Sequence, residues 1–130
     1  MKFGTDGVRG VANTDLSADF AVRLGRAAAR VLLDEPHRSC VVVGGDTRES
    51  TPMLMAALAG GFAAEGVDVV DLGVVPTPTV AYEAQRRGAM GAVVSASHNP
   101  YRDNGIKLFA VGGTKLPDEV EQRIEHELEV

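Results

Sequence analysis

The chain has 130 residues, the length of one ordinary domain, and 45% of them are apolar, enough to bury a core. A formal net charge of −5 disfavours a polyphosphate backbone as partner, so nucleic-acid binding is not expected. A single cysteine, Cys40, excludes an internal disulfide, no apolar stretch reaches membrane-span length, and glycines and charges stand where a signal peptide carries its apolar core; the expectation is a cytoplasmic protein with no membrane partner.

Met1 to Asn13 (MKFGTDGVRGVAN) places Gly4, Gly7 and Gly10 at every third position. That density argues against helix and for close approaches or positive φ angles. No GxGxxG string occurs and no strand precedes the segment, so a dinucleotide fold is not indicated. By composition alone, Arg9 reads as a solvated or ion-paired arginine. Leu16, Phe20, Leu24, Ala27, Ala28 and Val31 then fall on one helical face, with Ser17 as N-cap, Asp19 in the first turn and Pro36 beyond the end. Arg23, Arg26 and Arg30 read as its solvated face, and His37 as a surface loop residue. Cys40 to Val43 reads as a buried strand broken by Gly44-Gly45, with Cys40 a small core residue. Thr51-Pro52 supplies a cap and first-turn proline for a helix carrying Leu54, Leu58, Gly61 and Phe62. Val67 to Leu72 is a further strand, and Thr77-Pro78 opens a helix with Val80, Ala81 and Ala84 that stops near Gly88.

Met90 to Phe109 (MGAVVSASHNPYRDNGIKLF) is the densest stretch of the chain. Its apolar start is short and β-branched, a buried strand ending at Ser95. His98-Asn99-Pro100 cannot continue as sheet or helix, because proline lacks a donor and pushes Asn99 out of the helical region. Ser97 therefore sits on a loop at the carboxyl end of a buried strand, the edge where open α/β sheets place reactive groups. Ile106 to Phe109 is the next strand, with Lys107 alternating outward from Ile106 and Leu108, by default a solvated lysine. Gly112-Gly113 makes a turn, and Pro117 starts a last helix with Val120, Ile124 and Leu128 inward, His126 outward and Asp118, Glu119 and Glu121 at its positive end. Strands and helices alternate, which predicts a three-layer α/β/α sandwich. The loop before Ile106 leaves no room for a crossover helix, so that strand should run antiparallel to its neighbour in a mixed, mostly parallel sheet.

Familiar chemistries are poorly served. Ser97 and His98 are adjacent and point to opposite sides of an extended chain, so His98 is not the expected general base. Neither a GxSxG elbow nor a Walker string GxxxxGK[ST] occurs. One cysteine and three scattered histidines give no closed zinc set.

The six residues Ser95-Ala96-Ser97-His98-Asn99-Pro100, taken whole, resemble the active-site loop of the α-D-phosphohexomutases, enzymes that move phosphate between C1 and C6 of a hexose. FGTDGVRG, from Phe3 to Gly10, resembles the N-terminal signature of that family's phosphoglucosamine mutase branch. Asp46-Thr47-Arg48 resembles the family's Asp-x-Arg segment, with Gly45 where the family commonly has an arginine. Asn104-Gly105-Ile106-Lys107 matches a further motif. The resemblance runs from Phe3 to about Leu128, over the first of four family domains, and implies that the other three are absent.

It also implies roles. Ser97 would carry a phosphoryl group, Arg9 and Lys107 would supply positive charge and proton-transfer capacity, and His98 would orient the loop or touch sugar hydroxyls. A phosphoserine bears about −1.5 to −2 charges, and Mg2+ is the family's match for it. Ser97 would contribute one phosphate oxygen to that ion, whose aspartate ligands belong to an Asp-Gly-Asp-x-Asp loop not found in this chain. The implied substrate is a hexose phosphate, most closely glucosamine 6-phosphate, with phosphomannomutase or phosphoglucomutase chemistry as the alternative; a hexose 1,6-bisphosphate is the phosphorylating activator. The implied partners are the missing mutase domains and a second copy in a homodimer. Without those domains the chain is expected to show no meaningful turnover. A non-catalytic α/β module that binds sugar phosphates, or serves dimerisation, is the alternative of another class. For Asp46 and Arg48 the preferred reading is an ion pair that fixes a turn, worth up to about 1 kcal/mol if exposed.

Overall fold

The computed structural model describes residues 3–4, 7–33, 39–96 and 99–129. Along them run β1 (Val8–Val11), α1 (Ala18–Leu32), β2 (Cys40–Gly45), α2 (Thr51–Ala64), β3 (Asp68–Val74), α3 (Thr77–Arg87), β4 (Met90–Val94), β5 (Asp103–Ala110), β6 (Thr114–Lys115) and α4 (Asp118–Glu129). The strand order is β1-β5-β4-β2-β3, with β6 pairing onto the end of β5. β2 lies parallel to β3 and β4, whereas β5 is antiparallel to both β4 and β1. The fold is therefore the expected α/β sandwich with a mixed sheet, and the short connection after β4 returns antiparallel as its length requires.

Alternation along the strands divides two cores of unequal size. Val41, Val43, Ala92, Val94, Ile106 and Leu108 face α1, α2 and α4 in the larger one. Val42, Val93 and Phe109 face Val80 and Ala84 of α3 in the smaller. α3 lies over β2 and β4, and among the described residues no helix packs extensively over the β1–β5 end of that face. Ser17 caps α1 as its sequence predicts, its Oγ accepting from the Phe20 N–H at 3.1 Å. α1 and α2 approach closely where Gly25 meets Gly61: a Cβ on Gly25 would stand 2.5 Å from the Leu58 carbonyl oxygen. α3 ends at Gly88, whose φ of 63° is the left-handed cap a glycine adopts at little cost.

Several local expectations shift. The glycine-rich N-terminus contributes an edge strand, β1, because its close approach is to β5: a Cβ on Gly7 would collide with the Ile106 carbonyl. Gly44 and Gly45 do not break β2. The strand runs through them with a register irregularity against β3 after Val43, and both positions lack room for a side chain among Val75, Val80, Thr51 and Met55. Cys40 is only half-buried, at the first position of β2, and its thiol pKa is raised chiefly by the burial it does have. Arg26 and Arg30 are exposed but tied to Glu65 at 3.0 and 3.2 Å. Thr51 is the first residue of α2 rather than its cap, and its hydroxyl serves Asp46 instead. Pro36 and His37 lie outside the described residues.

Candidate active site

The carboxyl ends of β2 and β4, the start of α2, the start of β5 and the edge strand β1 converge at one rim of the sheet. Two turns meet there: residues 46–51, after β2, and residues 95–103, after β4. Ser97 and His98, the two residues of the second turn singled out by sequence, lie outside the described residues.

On the amino side, the Asp46 N–H donates to the Val94 carbonyl at 3.1 Å, and the Ser95 N–H donates to the Gly105 carbonyl at 2.9 Å. On the carboxyl side, Arg48 Nη1 donates to three carbonyls, those of Asn99 (3.1 Å), Pro100 (2.7 Å) and Asp103 (3.1 Å). Its Nε donates to Asp46 Oδ2 at 3.0 Å. Asp46 Oδ1 in turn accepts from the Arg48 N–H and from the Thr51 hydroxyl, at 3.1 and 2.8 Å. Tyr101 adds an exposed tie, its hydroxyl donating to the Thr47 carbonyl at 2.9 Å. Asn104 is fully buried: its Nδ2 donates to the hydroxyls of Ser50 and Thr51, and its Oδ1 accepts from the Gly105 N–H.

The expected Asp46–Arg48 ion pair is present, but its arginine is buried rather than exposed. Arg48 retains only 7% exposure, and a guanidinium that buried is stable only because a carboxylate and several carbonyls replace its water. The planar fork allows it to serve several acceptors at once, which an ammonium does less well. Burial of Asp46 would raise its carboxyl pKa, but hydrogen bonds from the Arg48 N–H, Thr51, Ser95 and the guanidinium outweigh that and hold it below the usual carboxylate range.

Register places the other two sequence candidates. Val8 pairs with Ile106, both fully buried in the larger core, so Arg9 and its partner Gly105 face the opposite side. Val94 also pairs with Ile106, which puts Ser95 beside Gly105. Arg9, Gly105 and Ser95 thus form one row across the sheet, and Lys107, two residues along β5, stands on the same face in the next row. Gly105 leaves the space that Arg9 crosses: a Cβ there would lie 2.9 Å from Arg9 Cγ and from the Ser95 carbonyl oxygen. Arg9 Nη1 reaches Asn99 Oδ1 at 3.2 Å, on the carboxyl flank of the loop. Lys107 is half-buried with its ammonium 5.3 Å from the Phe109 ring centroid, within cation–π range. Both cations occupy the end of the sheet that α3 leaves uncovered.

The whole chain, residues 1–130, matches the family model described as phosphoglucomutase/phosphomannomutase, alpha/beta/alpha domain I. The chain belongs to that family. It is 57% identical over 124 residues to a phosphoglucosamine mutase of Desulforamulus reducens, covering 95% of this chain and 28% of that protein. It is 55% identical over 130 residues to the phosphoglucosamine mutase of Corynebacterium urealyticum, covering 97% and 29% respectively. A crystal structure of a phosphoglucomutase/phosphomannomutase family protein from Burkholderia thailandensis superposes with a TM-score of 0.81 at 37% identity, over 98% of this chain and 29% of that one. The chain thus spans less than a third of the length of these relatives.

Arg48, Asp46, Asn104 and Tyr101 are the polar residues that bind the two turns together. Sequence reading assigns the first two a turn, quotes Asn104 only as part of a motif and passes over Tyr101. The available signal was positional: an Asp-x-Arg directly after one buried strand and an Asn-Gly at the start of another. Among the described residues, no three His, Cys, Asp or Glu side chains come together as a metal cage, and no helix is long and apolar enough to cross a membrane.

Proposed function

We propose that this chain is the phosphoserine-bearing domain I of a mutase that interconverts glucosamine 6-phosphate and glucosamine 1-phosphate in the cytoplasm. The observation that carries the reading is the convergence of three features on one rim. The family's Ser-His-Asn-Pro string follows β4, Arg9 and Lys107 stand on one sheet face beside it, and among the described residues α3 covers that face over β2 and β4 rather than over the β1–β5 end. The names of the phosphoglucosamine mutase relatives support the choice of hexose.

In this reading Ser97 carries a phosphoryl group. The P–Oγ bond breaks as a P–O bond forms to the free hydroxyl of the hexose monophosphate, whose proton passes to a neighbouring base while the departing Oγ takes up a proton to regenerate the serine hydroxyl. The resulting bisphosphate turns over, and its other phosphate returns to the serine. Transfer of this kind rests on positioning and charge neutralisation, which Arg9 and Lys107 supply at the rim. His98 orients the loop or meets sugar hydroxyls. Magnesium, when bound, would neutralise the phosphoserine, but the described residues supply no ligand cage for it. Its remaining ligands are assigned to the family's other domains. Those domains, and a second copy paired through this one, are the proposed partners.

The test is to incubate the chain with a hexose 1,6-bisphosphate and follow intact mass. Gain of one phosphoryl group that is lost in Ser97→Ala supports the reading; no gain refutes it. Adding the family's other domains in trans should then bring about conversion of glucosamine 6-phosphate, whereas robust turnover by residues 1–130 alone would refute the need for them.

A further inference from the structure

One ion pair, its arginine buried and its aspartate half-buried, reaches both shoulders of the loop that carries Ser97. The amino shoulder is held through Asp46, whose N–H donates to the Val94 carbonyl and whose carboxylate accepts from the Ser95 side chain. The carboxyl shoulder is held through Arg48, whose single Nη1 lies within 3.1 Å of the carbonyls of Asn99, Pro100 and Asp103. Two short bonds accompany these grips, Asn99 N–H to the Ala96 carbonyl at 3.1 Å and Asp103 N–H to the Pro100 carbonyl at 2.9 Å.

Such an investment of a buried charge has a particular physical consequence. Three backbone carbonyls pointing at one place repel one another, and the loop would relax outward toward water without a cation among them. An arginine can hold them because it cannot deprotonate and donates in a fixed plane. Its own register is fixed by Asp46, itself anchored by Thr51 at the start of α2. The loop is therefore referenced to α2 and to β2 through one guanidinium. The Arg9 contact to Asn99 joins the same carboxyl shoulder.

We propose that Arg48 is a positioning residue for phosphoryl transfer, holding the shoulders of the Ser97 loop at the distance the transfer requires without touching the substrate. This rests on the phosphoserine reading above. An in-line displacement tolerates little misplacement of the nucleophile, so loosening the loop should slow the transfer while leaving ligand binding, done elsewhere on the rim, intact.

The test compares the 130-residue chain with Arg48→Lys, which keeps the charge and loses the fork, and with Tyr101→Phe, which removes only the exposed tie. Amide hydrogen exchange at Asn99 and Asp103 should accelerate about ten-fold or more in R48K with the α1 and α2 core amides unchanged, and by much less in Y101F. Phosphoryl uptake from a hexose 1,6-bisphosphate should fall about ten-fold or more at saturating donor in R48K, with the half-saturating donor concentration within about two-fold of the unaltered chain. Unchanged exchange at those amides overturns the clamp. Faster exchange with an unchanged uptake rate overturns the positioning role. No uptake by the unaltered chain refutes the phosphoserine reading and the positioning role with it, while the exchange comparison still decides whether Arg48 holds the loop. Should R48K not fold, the unaltered chain decides by NMR: an Arg48 Nε–H resonance that shifts when Ser97 is phosphorylated supports the coupling, and one that stays put overturns it.

Discussion

Two glycines on neighbouring helices make opposite predictions from the same substitution. Gly60 lies on the exposed side of α2, and a Cβ there would meet nothing within 4 Å. Replacing it with alanine removes backbone freedom from the unfolded chain and should stabilise the domain by about 0.5–1 kcal/mol. Gly25 of α1 enjoys the same intrinsic gain, but its Cβ would stand 2.5 Å from the Leu58 carbonyl oxygen, 3.0 Å from the Phe62 nitrogen and 3.2 Å from Gly61 Cα. All three are backbone atoms and cannot swing aside as a side chain could. The helices must separate, and overpacking of this sort costs about 1–3 kcal/mol. The clash therefore wins by up to about 2.5 kcal/mol net, and Gly25→Ala should be destabilising. At this size 1 kcal/mol corresponds to about 4 °C in Tm, so the two variants should melt on opposite sides of the parent by resolvable margins. Urea titration with a common m-value is the cleaner assay, since a changed m-value would signal an altered denatured state rather than the clash. If G25A proves as stable as G60A, the α1–α2 interface is not packed glycine against backbone, and the reasoning from close approach fails.

Asp46→Asn should flatten the acid limb of the stability curve. Its carboxyl pKa is lowered in the fold, so the unfolded chain binds more protons as pH drops; the contribution is present above the unfolded value of about 3.9 and is lost as pH falls through the folded one. The gap between wild type and D46N, measured by urea titration, should therefore be wide at pH 7 and shrink toward pH 3; a constant gap would contradict the assignment. Leu58→Ala, in the larger core with no exposure, should cost about 2–5 kcal/mol. Leu72→Ala, half-buried on the edge strand β3 against the smaller core, should cost less than about 1.5 kcal/mol, and equal losses would contradict the unequal cores. Gly105→Ala should displace Arg9 across the row and destabilise by about 1–3 kcal/mol, with reduced phosphoryl uptake at Ser97 in the mass assay; normal uptake would place Arg9 outside the chemistry.

The elements most legible in the sequence are those whose signals are local. The periodic apolar face and Ser17 cap of α1, the Thr-Pro start of α3 with its Gly88 stop, and the β-branched run of β4 each needed only neighbouring residues to be read. The antiparallel turn into β5 followed from loop length alone. β1 was not legible, because its strand character comes from pairing with β5 across the length of the chain while its own composition, rich in glycine, argues against any element. Gly44 and Gly45 misled for a related reason. Glycine punctuates a chain when judged locally, yet here it extends β2, since the packing of α2 and α3 on either face leaves no volume for a side chain. In the site, the serine loop was legible as a motif, and Arg9 and Lys107 as residues. That both cations share a face is a fact of register, available only once Val8 and Val94 are both known to pair with Ile106.

The antiparallel strand β5 is what turns a generic α/β sheet into this particular rim. A parallel strand in its place would require a crossover helix after β4, which would bury the face on which Arg9 and Lys107 stand. Returning directly keeps the connection short, so residues 95–103 remain within reach of the turn after β2. It also brings Asn104 to Ser50 and Thr51 at the start of α2. It leaves the outer edge of β5 free for β1, which delivers Arg9 from the far end of the sequence to the same row as Ser95. One topological choice thus sets three things together: an uncovered sheet face, a loop short enough for one guanidinium to hold, and a cation from the first strand placed beside it. A substitution that weakened β5 pairing should therefore disturb Arg9, Lys107 and the Arg48 grip together, whereas damage to β3, at the opposite edge of the sheet, should spare all three.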